Sequence, residues 1–526
     1  MEMKAIVGGA ARSVTQGWFI ALIFAVVLAV IGRRSFWMDE AMLGIALDGT
    51  SWSSLLRLQE YNQATPIGLA LLWKSVLEVF GRSDVALRLG GVAAVGIAMW
   101  IFAKVARESI GGLATLLVLA LVVSSFPMLR MITEFKHYAF EFAISLLLVG
   151  LWLRLLRTGE WKWYVAATIL ALPFTYSTPL LTAALFLGSV WAVFRKVSAA
   201  DFGLLIRLQS VLLLAQLLWH FTVVVGSVEQ QMKGFDTFYS HKLLSANPDS
   251  LFLWLTPGIA ILVLVGAPVF LFFLAILPIS FISGGLKVQG GLSEPVIVAT
   301  AGLFVVIWSA SLAGVYPIGD TRHFVFAAAI FIVALATLMS WAAKKDKGVL
   351  YGCLGSILVG GATSYAYSSK PFSEVKAVSE RVAAVSGVQK VPIRVDFIEP
   401  VAQPSYLWYL GDATAPGWVN GATGLAESAG VVDWLPWAST TRGAWAALFN
   451  DNSGMSTDLH SAALLRHVIA DGGGNILVSG EMQDAASQLA SRIEDVVKSG
   501  QCVSQVVYQR GSTAVIRLLC DDSSSN

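Results

Sequence analysis

Charge is what this chain has least of. Asp, Glu, Lys and Arg together make up 13% of its 526 residues, about half the quarter that an ordinary soluble protein carries. Neither sign prevails: 36 basic against 34 acidic residues leave a net charge of +2. No Lys/Arg cluster has the length of a basic tail, so the sequence offers nothing to nucleic acid. Cysteine is scarce as well. Three of them are too few for a disulfide framework and lack the spacing of metal ligands. Walker sequences, nucleotide-sugar motifs and zinc-spaced ligand sets are absent, which argues against ATP-driven transport and against soluble nucleotide donors. Internal repeats are absent too.

Apolar side chains fill the space that charge leaves, at 56% of the residues. Runs free of Asp, Glu, Lys and Arg, long enough to cross ~30 Å of hydrocarbon, recur as far as residue 369. They fall near Trp18–Gly32, Leu89–Ala103, Gly111–Leu129, Tyr138–Leu153, Trp163–Phe194, Leu208–Val228, Leu251–Leu286, Pro295–Tyr316, Phe324–Ala343 and Gly348–Tyr367. The stretch Pro173 to Pro179 breaks Trp163–Phe194 into two short helices, whereas Leu251–Leu286 reads as one tilted helix with an interfacial start. The expected fold class is an α-helical polytopic membrane protein of about 11 transmembrane helices. The first run follows Lys4 and Arg12 as a signal sequence would, but no small-residue cleavage site follows it, so it reads as a retained helix.

Charge asymmetry sets the expected orientation. With the amino terminus cytoplasmic, the inner loops collect Lys104, Arg107, Arg154, Arg157, Arg195, Lys196, Lys287, Lys344 and Lys345. The outer face then receives Asp39-Glu40, the segments Arg130–His137, Glu229–Asp249 and Tyr316–His323, and everything after Lys370. The expectation is a multi-pass protein of the plasma (inner) membrane, divided at residues 1–369 and 370–526. Residues 33–88 form an unusually long first extracytoplasmic loop. Within it, Ser51–Leu58 could be a short amphipathic helix. The segment Pro66 to Phe80, interrupted by Lys74 and Glu78, suits a helix lying in the interface.

The tail changes character, with charges throughout and alternating apolar and polar stretches. It reads as a soluble α/β domain, with strands at Val391–Ile398, Asn475–Ser479, Ser504–Gln509 and Thr513–Leu519, and a helix at Met482–Lys498. Arg510-Gly511-Ser512 signals a hairpin. Cys502 and Cys520 are equidistant from Gly511, so a hairpin centred there brings them face to face at a separation that a disulfide can bridge.

Acidic side chains as close to hydrocarbon as Asp39 and Glu40 are costly unless paired or functional. Alone they read as a solvated loop. The outer segments add company. Glu134, His137, Tyr138 and Glu141 share a helical spacing of i, i+3, i+4 and i+7, with Lys136 beside them. Arg322 and His323 open a predicted helix, where the dipole already favours an anion, and a guanidinium there suits a phosphate.

These motifs, in order, resemble the integral-membrane glycosyltransferases of the C-type fold, chiefly those related to protein O-mannosyltransferases and the aminoarabinose transferase of lipid A. The resemblance rests on the acidic pair after the first span, Thr65-Pro66-Ile67-Gly68-Leu69, Gly81 to Leu89, Glu134 to Ala139, and Tyr316-Pro317 through Arg322-His323. Where the family often has His-Pro-Pro-Leu, this chain has Ala64-Thr65-Pro66-Ile67. Where the family often has Leu-Arg-Leu-Pro, it has Leu87-Arg88-Leu89-Gly90.

The resemblance implies a sugar donor on polyprenyl phosphate and a glycan, lipid or protein acceptor outside the cytoplasm, with inversion at the sugar carbon. Asp39 would be the general base, and Glu40 would orient it or position the acceptor. Arg322 would stabilise the departing phosphate, with Lys136 and His323 as further cations. Glu134, His137, Tyr138 and Tyr316 complete the expected substrate-binding set. No metal ligand is expected, although a divalent cation near the carboxylates is compatible with the chemistry. Two rivals belong to other classes. A transporter or flippase of a lipid-linked sugar would line a midplane path with polar residues, and a membrane scaffold would use its tail to bind a partner.

Overall fold

The computed structural model describes residues 36–55 except 37, then 64–226, 242–266, 293–319, 321–345 and 347–368. In the tail it describes 393–394, 408, 473–478, 491, 493–500, 502–510 and 513–520. The expected first span Trp18–Gly32 lies outside these residues.

The described residues up to 368 are helical apart from their connecting segments. Helix α1 covers Met38–Gly49, followed by a single 3-10 turn, Trp52–Ser54. Helix α2 covers Ile67–Phe80, α3 Asp84–Ile110, α4 Gly112–Ser124, α5 Phe126–Ile132 and α6 Tyr138–Thr158. Then come α7 (Lys162–Ala171), α8 (Thr178–Phe194), α9 (Phe202–Trp219), α10 (Leu251–Val265), α11 (Ser293–Leu312), α12 (Val325–Lys345) and α13 (Lys347–Ser368). Five stretches among the described residues are long and apolar enough to cross a membrane: Asp84–Ile110, Tyr138–Thr158, Phe202–Val224, Glu294–Leu312 and Thr321–Ala343.

The boundaries have local causes. Gly81 stops α2 with φ +63, in the left-handed region that glycine tolerates, and its N–H closes on Leu77 O at 2.8 Å. Ser83 then caps α3 by accepting from Ala86 N–H, with Asp84 in the first turn. The run Gly111–Leu129, expected as one helix, breaks at Ser125. That residue caps α5 by accepting from Met128 N–H, and Pro127 follows at the start of the new helix. The predicted break in Trp163–Phe194 appears between α7 and α8.

Close contacts give each helix a direction. Gly91 lies against Ala139 and Gly150 against Phe102, so α3 and α6 run parallel. Gly188 leaves no room for a side chain, because a Cβ there would sit 2.8 Å from Ala299 Cβ and from Pro295 O. Such small-residue contacts are how helices approach in lipid. Arg195 meets Glu294 at 2.9 Å, so α11 runs antiparallel to α8. Gln209 Nε2 donates to Ser189 Oγ at 2.7 Å and Gln216 Nε2 to Thr182 Oγ1 at 3.0 Å, which makes α9 antiparallel to α8 as well.

One end of the bundle therefore gathers the N-termini of α3, α6 and α8, the C-terminus of α11, and the segments 133–137, 172–177 and 313–319. The other end holds the pairs Arg157–Glu108 at 2.7 Å and Arg195–Glu294. Both ends of α10 touch the first of these layers. Trp254 O accepts from Trp308 Nε1 near the end of α11 at 3.2 Å, and Leu264 O accepts from Ser125 Oγ. As far as residue 265, then, this helix lies along that end of the bundle, in the part of the run expected as an interfacial start. The remainder of its apolar run is outside the described residues.

The first loop is a built platform. Lys74 Nζ donates to Asp48 O at 3.0 Å, at the end of α1, and Arg82 pairs with Asp48 at 2.8 Å. Glu78 accepts from Trp52 Nε1 at 2.7 Å. The two charges that argue against α2 as a crossing thus fasten α1 and the 3-10 turn to it. The proposed helix over Ser51–Leu58 is only this turn among the described residues.

In the tail, β1 (Ile393–Arg394), β2 (Gly473–Val478), β3 (Cys502–Arg510) and β4 (Thr513–Cys520) form one sheet in the order β1-β2-β4-β3. The first pair is parallel and the others are antiparallel. The β3–β4 hairpin turns between Arg510 and Thr513, and a register shift between Val506 and Tyr508 restores Cys502 opposite Cys520. The expected disulfide is present.

Candidate functional site

Asp39 and Glu40 are not loop residues. Both belong to the first turn of α1. The side chain of Asp39 lies outside what the structure describes, whereas that of Glu40 is fully defined. Glu40 is buried against Arg88 of α3, the two side chains being 1% and 0% exposed. Arg88 Nε and Nη2 reach Oε1 at 3.1 and 3.0 Å, and Nη2 reaches Oε2 at 2.9 Å. Phe135 N–H also donates to Oε1, at 2.6 Å. Above the pair, the Arg88 guanidinium lies 4.7 Å from the Phe36 ring centroid. Charge-assisted bonds of this kind are the strong ones, and here they fix the backbone that carries Asp39.

The Phe135 contact explains a departure from the sequence reading. Glu134 does not share a helical face with His137, Tyr138 and Glu141, because α5 ends at Ile132 and α6 begins at Tyr138. In between, Phe135 N–H goes to Glu40, 95 residues away in sequence, instead of to a helical carbonyl. Glu134 turns back to Arg130 Nε at 3.2 Å. The Phe135 ring is held between Phe36 at 5.4 Å and Trp73 at 4.7 Å.

The next two residues of this loop point to a second cluster. His137 sits 4.6 Å from the Tyr138 ring and 5.4 Å from Tyr176, edge-on. Burial pushes its pKa down to about 3, and the charges of Lys136, His323 and Arg322 push the same way. His137 is therefore a neutral imidazole inside a group of cations. Four residues that the sequence had placed on two separate segments come together here.

Arg322 and His323 lie in a 3-10 turn, Thr321–Phe324, one step before α12 and not in the helix itself. The loop is tied into place. Tyr316 Oη donates to His323 O, and His323 Nδ1 lies 3.1 Å from Pro317 O. Ile318 N–H donates to Lys242 O at 2.8 Å. Burial first, and then the proximity of Glu141 and Tyr138, hold the Tyr316 hydroxyl well above its usual range, so it stays protonated. Of the segment Glu229–Asp249, only residues from Lys242 onward are described.

Glu141, one turn into α6, accepts from Tyr176 N–H at 2.6 Å and from the Ser177 hydroxyl. It fastens the α7–α8 loop to the cluster. Sequence reasoning gave no role to Arg88, although it noticed the motif, and it missed Tyr176 and Trp408. Trp408, from the tail, packs on Phe36 at 5.0 Å and lies 5.8 Å from the Arg82 guanidinium. Gly44 makes room for it, since a Cβ there would come within 2.5 Å of the indole. Among the described residues no group of three or more His, Cys, Asp and Glu side chains is arranged to hold a metal ion.

Two groups of side chains thus occupy one end of the bundle, joined by the loop 133–137. A carboxylate-bearing helix start is pinned at Phe135, and an anion-attracting cluster begins at the next residue.

This architecture is the glycosyltransferase C-type fold. Two solved structures share it, both of ArnT from Cupriavidus metallidurans, one bound to undecaprenyl phosphate and one in the apo state. Each superposes with a TM-score of 0.54 at 11% sequence identity, covering 95% and 97% of this chain and 98% of the other. No family model matches the chain, and no curated protein matches it.

Proposed function

We propose that this protein is a glycosyltransferase that moves a sugar from a polyprenyl-phosphate donor to a hydroxyl of a glycan, lipid or protein acceptor. The observation that carries the reading is the loop 133–137, which bonds the Asp39–Glu40 helix start through Phe135 and places Lys136 and His137 among Arg322 and His323. A group-transfer site for a phosphate ester needs a base and a cationic seat for the leaving group, close together. The ArnT neighbour's bound undecaprenyl phosphate supports a lipid-phosphate donor for the same fold.

In this reading Asp39 takes the proton of the acceptor hydroxyl as its oxygen attacks the anomeric carbon. The bond from that carbon to the phosphate oxygen breaks, and the electron pair leaves on the phosphate, where Arg322, Lys136 and His323 receive it. Glu40 keeps Asp39 in position through Arg88. A leaving phosphate needs little protonation, so one carboxylate suffices, in contrast to the paired acids of a glycosidase. The charge pattern supports an extracytoplasmic site in the plasma (inner) membrane, with residues 370–526 on the same side. Trp408 on the α1 platform supports a part for the tail in acceptor binding. A flippase reading gains nothing from the polar residues within the bundle. Gln209 and Trp152 both donate to Ser189 Oγ, and Gln216 donates to Thr182 Oγ1, which is how buried polar groups glue helices.

The test is release of polyprenyl phosphate from a labelled polyprenyl-phosphate sugar by purified protein in lipid nanodiscs. Wild type releases it in the presence of acceptor extract, and Asp39→Asn does not, while both bind the donor equally. Equal release by the variant removes Asp39 as the base.

A further inference from the structure

Tyr176 is held unusually firmly for a loop residue. Its N–H is bonded to Glu141 Oε1 and its neighbour Ser177 to Oε2. Three residues before Tyr176, Pro173 O accepts from Gly68 N–H of α2 at 2.6 Å. The loop is therefore fastened to α6 on one side and to α2 on the other. The ring stands edge-on to His137 at 5.4 Å. Yet the hydroxyl at the end of this fixed ring is buried and has no hydrogen-bond partner among the described residues. A buried donor without a partner is costly, and native structures seldom leave one without a reason.

The surroundings supply a reason. His137, against which the ring stands, is neutral, and Lys136, Arg322 and His323 are the charges that His137 feels. Tyr176 itself stays protonated, its pKa raised by burial and then by Glu141. A rigid O–H donor on a ring that stands against His137, which lies among those cations, matches one ligand chemistry, an oxyanion with acceptor lone pairs to spare.

We propose that Tyr176 is a further donor-binding residue, whose hydroxyl donates a hydrogen bond to a phosphate oxygen of the lipid donor beside His137. The proposal rests on the reaction read above and adds to it a residue outside the segments that pointed to that reaction. It also assigns a purpose to the α7–α8 loop: Glu141 and Pro173 hold the donor rigid before the ligand arrives, which lowers the cost of ordering it on binding.

Tyr176→Phe tests this cleanly, because it removes one oxygen and leaves the ring packing. Apo stability in nanodiscs should be unchanged or slightly raised, since the hydroxyl makes no bond to lose. Affinity for polyprenyl phosphate should fall about tenfold to a hundredfold, the range for a hydrogen bond to a charged group. Polyprenol without phosphate and inorganic phosphate alone serve as comparison probes, separating the lipid phosphate from its tail and from a free anion. Tighter binding of polyprenyl phosphate than of either probe, lost in Tyr176→Phe, supports the proposal. Undiminished binding by Tyr176→Phe, with binding lost in Arg322→Ala, overturns the role of Tyr176 and leaves the donor reading standing. A marked loss of apo stability in Tyr176→Phe also overturns it, by showing that the hydroxyl already has a partner. If wild type binds polyprenyl phosphate no better than polyprenol, the donor reading itself falls, and the proposal with it.

Discussion

Breaking the Glu40–Arg88 pair should expose how the helix start that carries Asp39 is held. Arg88→Met keeps the length of the side chain and removes the guanidinium, so that Glu40 loses three charge-assisted contacts of 2.9 to 3.1 Å in a site where it is 1% exposed. Removing one partner of a buried ion pair costs about 3–5 kcal/mol. The stacking of Arg88 on Phe36 at 4.7 Å adds about 0.5–2 kcal/mol. Glu40→Leu should cost a similar amount, because it strands the guanidinium. The double variant Glu40→Leu/Arg88→Met leaves no buried charge. It should fall only about 1.5–5 kcal/mol below wild type, the share of the Phe135 N–H that has lost its acceptor together with the lost stacking on Phe36. The losses measured by denaturant titration in micelles should therefore be strongly non-additive, by at least ~3 kcal/mol. Transfer activity should not return with stability, since the apolar pair does not fix the first turn of α1 as the ion pair does. Additive losses would refute the reasoning, and so would a fully active double variant.

Further outcomes follow from the site and the tail. Arg322→Ala should weaken binding of polyprenyl phosphate while leaving the thermal midpoint near wild type, and unchanged affinity by a ligand-shift assay would count against the phosphate seat. His137 is held at about 3 in the folded protein, against an ordinary value near 6.5. Its contribution to stability is full above about pH 6.5 and is lost as pH falls from there toward 3, because the unfolded chain takes up a proton that the folded site refuses. A pH series of thermal midpoints should show this loss in wild type and less of it in His137→Gln. The Cys502–Cys520 bridge closes a loop across a sequence separation of 18, worth roughly 3 kcal/mol by loop closure. Cys502→Ser/Cys520→Ser should lower the protection of β3 and β4 from hydrogen exchange without abolishing donor binding.

How much of this was legible depended on how far each cause lies from its effect along the chain. The apolar runs and the punctuating prolines are local, so most helices, and the break between α7 and α8, were readable. The Cys502–Cys520 pair was readable because a hairpin is local too, although the arithmetic about Gly511 held only because a register shift offsets a turn centred half a residue later. The loop 133–137 was not readable. Its residues have ordinary helical spacing, and the helix yields there to a carboxylate on α1 that only the folded bundle brings near. Glu40 looked like a helper to Asp39 from sequence, but its bond to Arg88 spans 48 residues that carry no periodic signal. Arg322 and His323 were found by their place before an apolar run. Tyr176 carried no signal, because an unpaired hydroxyl is a property of its surroundings and not of its sequence.

The central claim is that a lipid phosphate sits between the loop 133–137 and the segment 313–324. Photolabelling purified protein with a polyprenyl phosphate that carries a photoreactive group next to the phosphate tests it most directly, with mass spectrometry to locate the label. The account predicts labelled peptides from both segments in the same sample, competed away by unlabelled polyprenyl phosphate and not by polyprenol. Label confined to the opposite end of the bundle, around Arg157 and Arg195, would contradict it.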